Sequence, residues 1–241
     1  MLAVGAESVW LTSFPGDSVT RIDASTNRAV GTISSGGLGP IGIAYANGYI
    51  WVANHHGDPT GSIAKIDPST MRVVDLIPVG AAQFDSGPNW VAAGAGSLWV
   101  GVPNLAAVVR LDPRRDAIAA TIPDKGVCGA IVATDAAVWV GGAGGPGCLP
   151  GITRIDPTTN AVTDRFNAGG QVGPLAFGAG ALWYGTLTSD FLGRVDAATD
   201  AILGQLKLPV PADKGLTVGF GAVWATDSQD GLLFRIEADS Q

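Results

Sequence analysis

Apolar and polar positions alternate along this chain in short bursts, and the stretch from Gly39 to Gly80 shows the unit most clearly: GPIGIAYANGYIWVANHHGDPTGSIAKIDPSTMRVVDLIPVG. Apolar runs of strand length at 41–45, 49–53, 62–66 and 72–77 are separated by Asn-Gly, His-His-Gly-Asp-Pro and Asp-Pro-Ser-Thr. Those separators are turn chemistry, and the β-branched and aromatic content of the runs favours strand over helix. The stretch predicts four antiparallel strands, termed a, b, c and d.

The unit repeats. Trp10, Trp51, Trp99, Trp139, Trp183 and Trp224 each sit in a b-type run, at spacings of 41, 48, 40, 44 and 41 residues. A repeat period of this size is the signature of a propeller. The c-type run recurs with it as Arg21-Ile22-Asp23, Lys65-Ile66-Asp67, Arg110-Leu111-Asp112, Arg154-Ile155-Asp156, Arg194-Val195-Asp196 and Arg235-Ile236-Glu237. The expected fold is all-β, a six-bladed β-propeller with four-stranded antiparallel blades. One domain is expected over 1–241, with blades near 1–33, 39–78, 87–122, 127–166, 172–208 and 214–239. The last blade has no d run in this sequence, which predicts an open edge there and suggests a missing N-terminal segment that would seal it.

Scaffold demands account for most of the repeated residues. The acid of each triplet precedes Ala or Pro and a Ser, Thr or Asn in most repeats, where it accepts backbone N–H bonds in the c-to-d hairpin. The basic residue two positions earlier shares the acid's face, because strand side chains alternate, so a repeated ion pair within each blade is expected. The Trp lies in a run apolar on both faces, as in Tyr49-Ile50-Trp51-Val52, and is expected to be core. Seven residues before it stands a small residue in four repeats (Ala3, Ala44, Ala92 and Ala176), with Val132 and Thr217 departing. That spacing suggests crowded inner strands around a narrow axis.

Composition narrows the function classes. The net charge is −7 and only four Lys occur, which argues against nucleic acid, since binding its backbone needs clustered cations. No apolar run approaches the roughly 20 residues of a membrane-spanning helix, so no membrane insertion is expected. Cys128 falls in the crossover into blade four and Cys148 in that blade's b-to-c loop. This shared end predicts a disulfide rather than two loop thiols, and with it an oxidising, extracytoplasmic or secreted setting, although the signal itself is absent.

The combination of Leu-Trp-Val, Arg-Ile-Asp-Pro-x-Thr and Gly-x-Gly-x-Leu-Trp resembles the YncE and YVTN-type bacterial propellers and the streptogramin B (virginiamycin B) lyase group. That resemblance implies a propeller. In its lyase branch it implies a metal-assisted elimination by His and Glu residues drawn from different blades. Here the two histidines, His55 and His56, are adjacent in one loop, so weak or absent streptogramin lyase activity is expected.

Candidate chemistry gathers in the b-to-c loops and d-to-a crossovers, where polar residues do not repeat: Asn54, His55, His56, Asp58, Asp85, Trp90, Asn104, Asp190 and Asp227. His55 and His56 have the chemistry of transition-metal ligands but lack the spacing of a zinc motif, and a solvated loop is the alternative. Trp90 breaks the repeat after the longest crossover, and two roles are open for it, a plug or a stacking surface for a ligand. No nucleophile and base can be assembled, so no catalytic residue is assigned. The expected function is non-catalytic binding of a small molecule, peptide or protein domain by a monomer, without a resident cofactor other than a divalent metal. A metal-assisted lyase or lactonase-like hydrolase and the sensor domain of a larger receptor are the alternatives.

Overall fold

The computed structural model describes residues 1–56, 61–80, 87–145 and 147–238. Its strands form six small antiparallel sheets, each a blade, so the fold is a six-bladed β-propeller. Blade one comprises β1 (Leu2–Gly5), β2 (Ser8–Ser13), β3 (Ser18–Asp23) and β4 (Arg28–Ser34). Blade two comprises β5 (Leu38–Ala46), β6 (Tyr49–His56), β7 (Ser62–Asp67) and β8 (Arg72–Pro78). Blade three has β9 (Trp90–Gly94), β10 (Ser97–Val102), β11 (Ala107–Asp112) and β12 (Ala117–Pro123), and blade four β13 (Ile131–Ala133), β14 (Val138–Gly142), β15 (Gly151–Asp156) and β16 (Ala161–Phe166). Blade five has β17 (Val172–Gly178), β18 (Ala181–Thr186), β19 (Phe191–Asp196) and β20 (Ile202–Lys207), and blade six β21 (Gly215–Gly219), β22 (Ala222–Thr226) and β23 (Leu233–Glu237).

The chain divides into two compact units. Blades one to three fall in the first (Met1–Asp124, Ala133–Val138, Pro157–Asn160), which also takes two turns of blade four, and the rest of blades four to six falls in the second (Lys125–Val132, Trp139–Asp156, Ala161–Gln241).

Within each unit the b strands carry the packing between blades. Alternate residues of β6 belong to different cores: Ile50 and Val52 pack with Trp10, Val19 and Ile43, whereas Trp51 and Ala53 pack with Leu98, Val100 and Val109. Successive strand side chains point to opposite faces, so a strand covered by a blade on each side has to be apolar throughout. In the second unit Trp183 and Leu192 pack the same way with Val223 and Ala225.

Register also gives the small residues of strand a a local cause. Ala3, Ala44, Ala92 and Ala176 stand directly opposite Trp10, Trp51, Trp99 and Trp183, and Thr217 opposite Trp224. A side chain beside an indole must be short, whatever the width at the axis. In blade two the backbone itself comes close: a Cβ on Gly42 would lie 2.6 Å from the Asn89 carbonyl oxygen and 2.8 Å from the Val91 nitrogen.

Antiparallel order puts the a-to-b and c-to-d turns at one end of every blade, the turn end, and the b-to-c loops and d-to-a crossovers at the other, the loop end. At the turn end the acids act as the sequence suggests. Asp23 Oδ1 accepts from the amides of Ser25 (2.9 Å) and Thr26 (2.8 Å), and Asp196 Oδ1 from those of Ala198 (3.0 Å) and Thr199 (2.8 Å).

The repeated cations behave differently from the expected pairing within a blade. Each lies over the Trp of its own blade, 5.1–5.9 Å from the ring centroid. In blades one to four the cation then reaches the c-to-d turn of the next blade. Arg21 donates to the Pro68 carbonyl (3.0 Å), Lys65 to Asp116 (2.7 Å), Arg110 to the Pro157 carbonyl and Asn160 Oδ1 (2.9 Å), and Arg154 to Asp200 (3.1 Å). The reason is geometric: the triplet acid is engaged by its own turn, whereas the next blade offers an acceptor beside the indole. In blade six the pairing inside a blade does occur, between Arg235 and Glu237.

Candidate functional site

At the loop end of the first unit, β5 and β6 run on to nine and eight residues, the longest strands described. This extension pairs Leu38 with His56 and Pro40 with Asn54, past an irregularity between Pro40 and Ile43. Both histidines therefore stand on a paired strand rather than in a free loop. Their ring centroids are 4.5 Å apart and meet edge to face. Phe14, from the b-to-c loop of blade one, approaches His56 edge-on at 5.5 Å and His55 at 6.5 Å.

Gly39 makes room for this cluster. Its φ is +60°, and a Cβ there would come within 2.8 Å of His56 Cδ2 and 3.0 Å of Phe14 Cε2. Asp17 Oδ1 holds the Gly39 amide at 2.7 Å. Phe14 remains 46% exposed, so an apolar ring backed by two imidazoles faces water.

Asn54 lies beneath and is fully buried. Its amide nitrogen donates to the Ser35 carbonyl (3.2 Å) and Ser62 Oγ (3.3 Å), while its Oδ1 has no donor among the described residues. Ser35 in turn donates its hydroxyl to the Gly37 carbonyl at 3.0 Å. This polar group under the histidines braces β6 against the crossover that precedes β5.

The remaining candidates are placed separately. Trp90 opens β9 opposite Gly101 and is half-buried. The crossover before it is held by the Gly87 amide on the His55 carbonyl (3.1 Å) and the Asn89 amide on the Gly101 carbonyl (2.9 Å). Asn104 lies in a short 3-10 turn, Pro103–Leu105, with its amide 3.5 Å from where a Gly80 side chain would start. Asp58 and Asp85 lie outside the described residues.

In the second unit Asp190 is exposed, and its carbonyl accepts from the Leu208 amide at 2.7 Å. Asp227 is buried and braces its own loop, its Oδ2 taking the Asp230 amide at 2.6 Å. Cys128 and Cys148 are bridged, with Cα atoms 6.3 Å apart. The bridge fastens the b-to-c loop of blade four to the crossover that begins the blade, assisted by the Leu149 amide on the Lys125 carbonyl (2.9 Å).

Thus Asn54, His55 and His56 are brought together with Phe14, Asp17 and Gly39, three residues absent from the candidate set. The signal for Phe14 and Asp17 was the irregular run Ser13-Phe14-Pro15-Gly16-Asp17 in the b-to-c loop of blade one, whereas nothing local in the sequence marked Gly39. Among the described residues no three His, Cys, Asp or Glu side chains are placed to hold a metal ion. What the cluster offers chemically is aromatic surface with the Asp17 carboxylate bound to the Gly39 amide, suited to a cation or a flat apolar group.

Fold comparison agrees with the blade architecture. The structure is similar to Kuenenia stuttgartiensis hydrazine synthase, with a TM-score of 0.64 and 11% identity over 100% of this chain and 95% of that one. It is also similar to dihydro-heme d1 dehydrogenase NirN in complex with DHE, with a TM-score of 0.71 and 14% identity over 98% of this chain but 54% of that one. The chain therefore spans about half the length of the second protein. Identities this low establish the β-propeller fold and nothing of the chemistry. No protein-family model and no curated protein matches the sequence.

Proposed function

We propose that this propeller is a non-catalytic binding module whose loop end captures a cationic ligand, either a small molecule or a Lys- or Arg-bearing segment of a peptide or partner domain. The observation that carries this reading is the contrast between the two ends. The turn end is repeated from blade to blade, while the loop end differs in every blade and presents Phe14, His55 and His56 as one aromatic cluster. A net charge of −7 raises the local concentration of cations, and an aromatic face adds about 0.5–2 kcal/mol to a cation seated on it.

The repeated Leu-Trp-Val and Arg-Ile-Asp-Pro motifs support a YncE-like subtype, related to the streptogramin B lyase group. The disulfide supports an extracytoplasmic setting. The testing experiment is a backbone-amide NMR titration with a panel of quaternary and guanidinium cations, run alongside a streptogramin B linearisation assay. Shifts are expected around Phe14, Gly39 and His56, to be lost in Phe14→Ala and kept in Asp67→Ala, with no antibiotic opened. Shifts confined to the c-to-d turns would sink the reading, and so would linearisation that disappears in His55→Ala.

A further inference from the structure

Cations differ in what they demand of a site, and the Phe14 cluster meets some of those demands better than others. The ring centroids of Phe14, His55 and His56 stand 4.5, 5.5 and 6.5 Å apart, and the ring planes cross at 44°, 63° and 70°. No two are parallel. A cation gains from a ring whose centroid lies within about 6 Å, so one compact head group beside the cluster comes within reach of all three rings. A planar guanidinium, which stacks flat on aromatic faces, finds no parallel pair to lie between. Leu38 adds an apolar wall: it stands opposite His56 in the pairing of β5 with β6, on the same side of the sheet, and is 53% exposed.

Carboxylate acceptors are scarcer than aromatic surface. In the segments 13–18, 35–41 and 54–56, which carry or frame the rings, Asp17 is the one carboxylate. Its Oδ1 already takes the Gly39 amide at 2.7 Å, and its backbone carbonyl takes the amide and the hydroxyl of Ser35 at 2.9 and 3.2 Å. A primary ammonium or a guanidinium brings several N–H donors, each of which is penalised if it leaves water without an acceptor. A quaternary ammonium brings none. The bonds that occupy Asp17 also fix the loop carrying Phe14 against the crossover before β5, so the ligand need not order that segment.

We infer that the loop-end cluster recognises a quaternary ammonium group, with the trimethylated nitrogen seated against Phe14, His56 and Leu38. The rings take up its diffuse charge, the apolar wall takes its methyl groups, and the net charge of −7 supplies attraction at longer range. This inference rests on the cation-binding reading of the same site and narrows it, setting a small trimethylammonium compound above a Lys or Arg side chain.

The test compares choline, butylammonium and methylguanidinium, with neohexyl alcohol as the uncharged carbon isostere of choline. Each is titrated into the intact chain at about pH 8, where unperturbed imidazole is neutral, and followed by the amide NMR signals of Gly39 and His56. Choline should bind at least tenfold tighter than each of the other three. Phe14→Ala, at an exposed position, should keep the melting temperature and lose the choline shifts, and Phe14→Tyr should retain them. Asp17→Asn, whose carboxamide oxygen can still accept from Gly39, should keep choline the tightest of the cations. If none of the three cations binds, the cation reading of the site falls and this inference falls with it. A preference for butylammonium or methylguanidinium would leave that reading standing and overturn the quaternary one. Choline shifts that survive Phe14→Ala, a preference lost in Asp17→Asn, or equal binding by neohexyl alcohol would each overturn it as well.

Discussion

The two ends of the blades obey different rules, and the clearest pair to set side by side is the c-to-d turn and the b-to-c loop. Every described c-to-d hairpin of blades one to five places its last turn residue in the left-handed region: Asn27, Met71, Asp116, Asn160 and Asp200 have φ between 52° and 58°. Asn and Asp tolerate that conformation best, and in three of these turns the same side chain receives the cation of the preceding blade. One residue thus satisfies a backbone demand and joins two blades. At the loop end Asp17 combines the two in blade one, with a φ of 46° and its Oδ1 on the Gly39 amide (2.7 Å), but that arrangement is not repeated in the sequence of the other loops, where side chains vary. Repetition therefore marks structure, and irregularity marks where function can reside.

Three measurements probe that division. The largest effect belongs to the one covalent tie at the loop end. Replacing Cys128 and Cys148 by Ser should lower unfolding free energy by about 3 kcal/mol in the chain-entropy account of a loop of this size, read by denaturant titration. A loss below about 1 kcal/mol would mean that the loop is held by other contacts.

Next comes Asp200, whose carboxylate accepts from Trp139 Nε1 (3.2 Å) and Arg154 (3.1 Å) with 5% of its side chain exposed. Asp200→Ala leaves both donors without it and should cost about 2 kcal/mol, less than a fully buried pair because Arg154 is 22% exposed. Asp190→Ala at the loop end should change stability by no more than about 0.5 kcal/mol. Equal losses in the two variants would erase the distinction between the ends.

The smallest effect is a pH dependence. The Ser25 hydroxyl, then the Thr26 amide and hydroxyl, hold Asp23 down from 3.8 to about 2. The Ser69 hydroxyl and amide lower Asp67, and the Thr199 hydroxyl and amide lower Asp196. A carboxyl whose pKa falls on folding contributes stability that is complete above the unfolded value and disappears as pH drops through the folded one. For Asp23 the window runs from 3.8 down to about 2. Melting temperature should therefore fall less steeply across that window in Asp23→Ala than in the parent, and parallel curves would show that these turns play no part in acid sensitivity.

Much of this molecule was legible one residue at a time. The period of the Trp residues, the turn chemistry of Asp-Pro-x-Thr and the doubly apolar b strands are local signals. Each reflects what a single strand or hairpin requires, so six blades, their order and the bridged Cys128 and Cys148 follow from the chain alone. What needed the tertiary structure involved a neighbouring blade. Asp23 and Arg21 look like partners because they lie two residues apart, yet Arg21 reaches Pro68, forty-seven residues away, once the next turn is brought beside Trp10. Phe14 meets His56 only because Gly39, with a positive φ, leaves the gap between them open. Sequence patterns record the demands of one strand on itself, whereas partners across blades are chosen by packing, and packing is a property of the assembled fold.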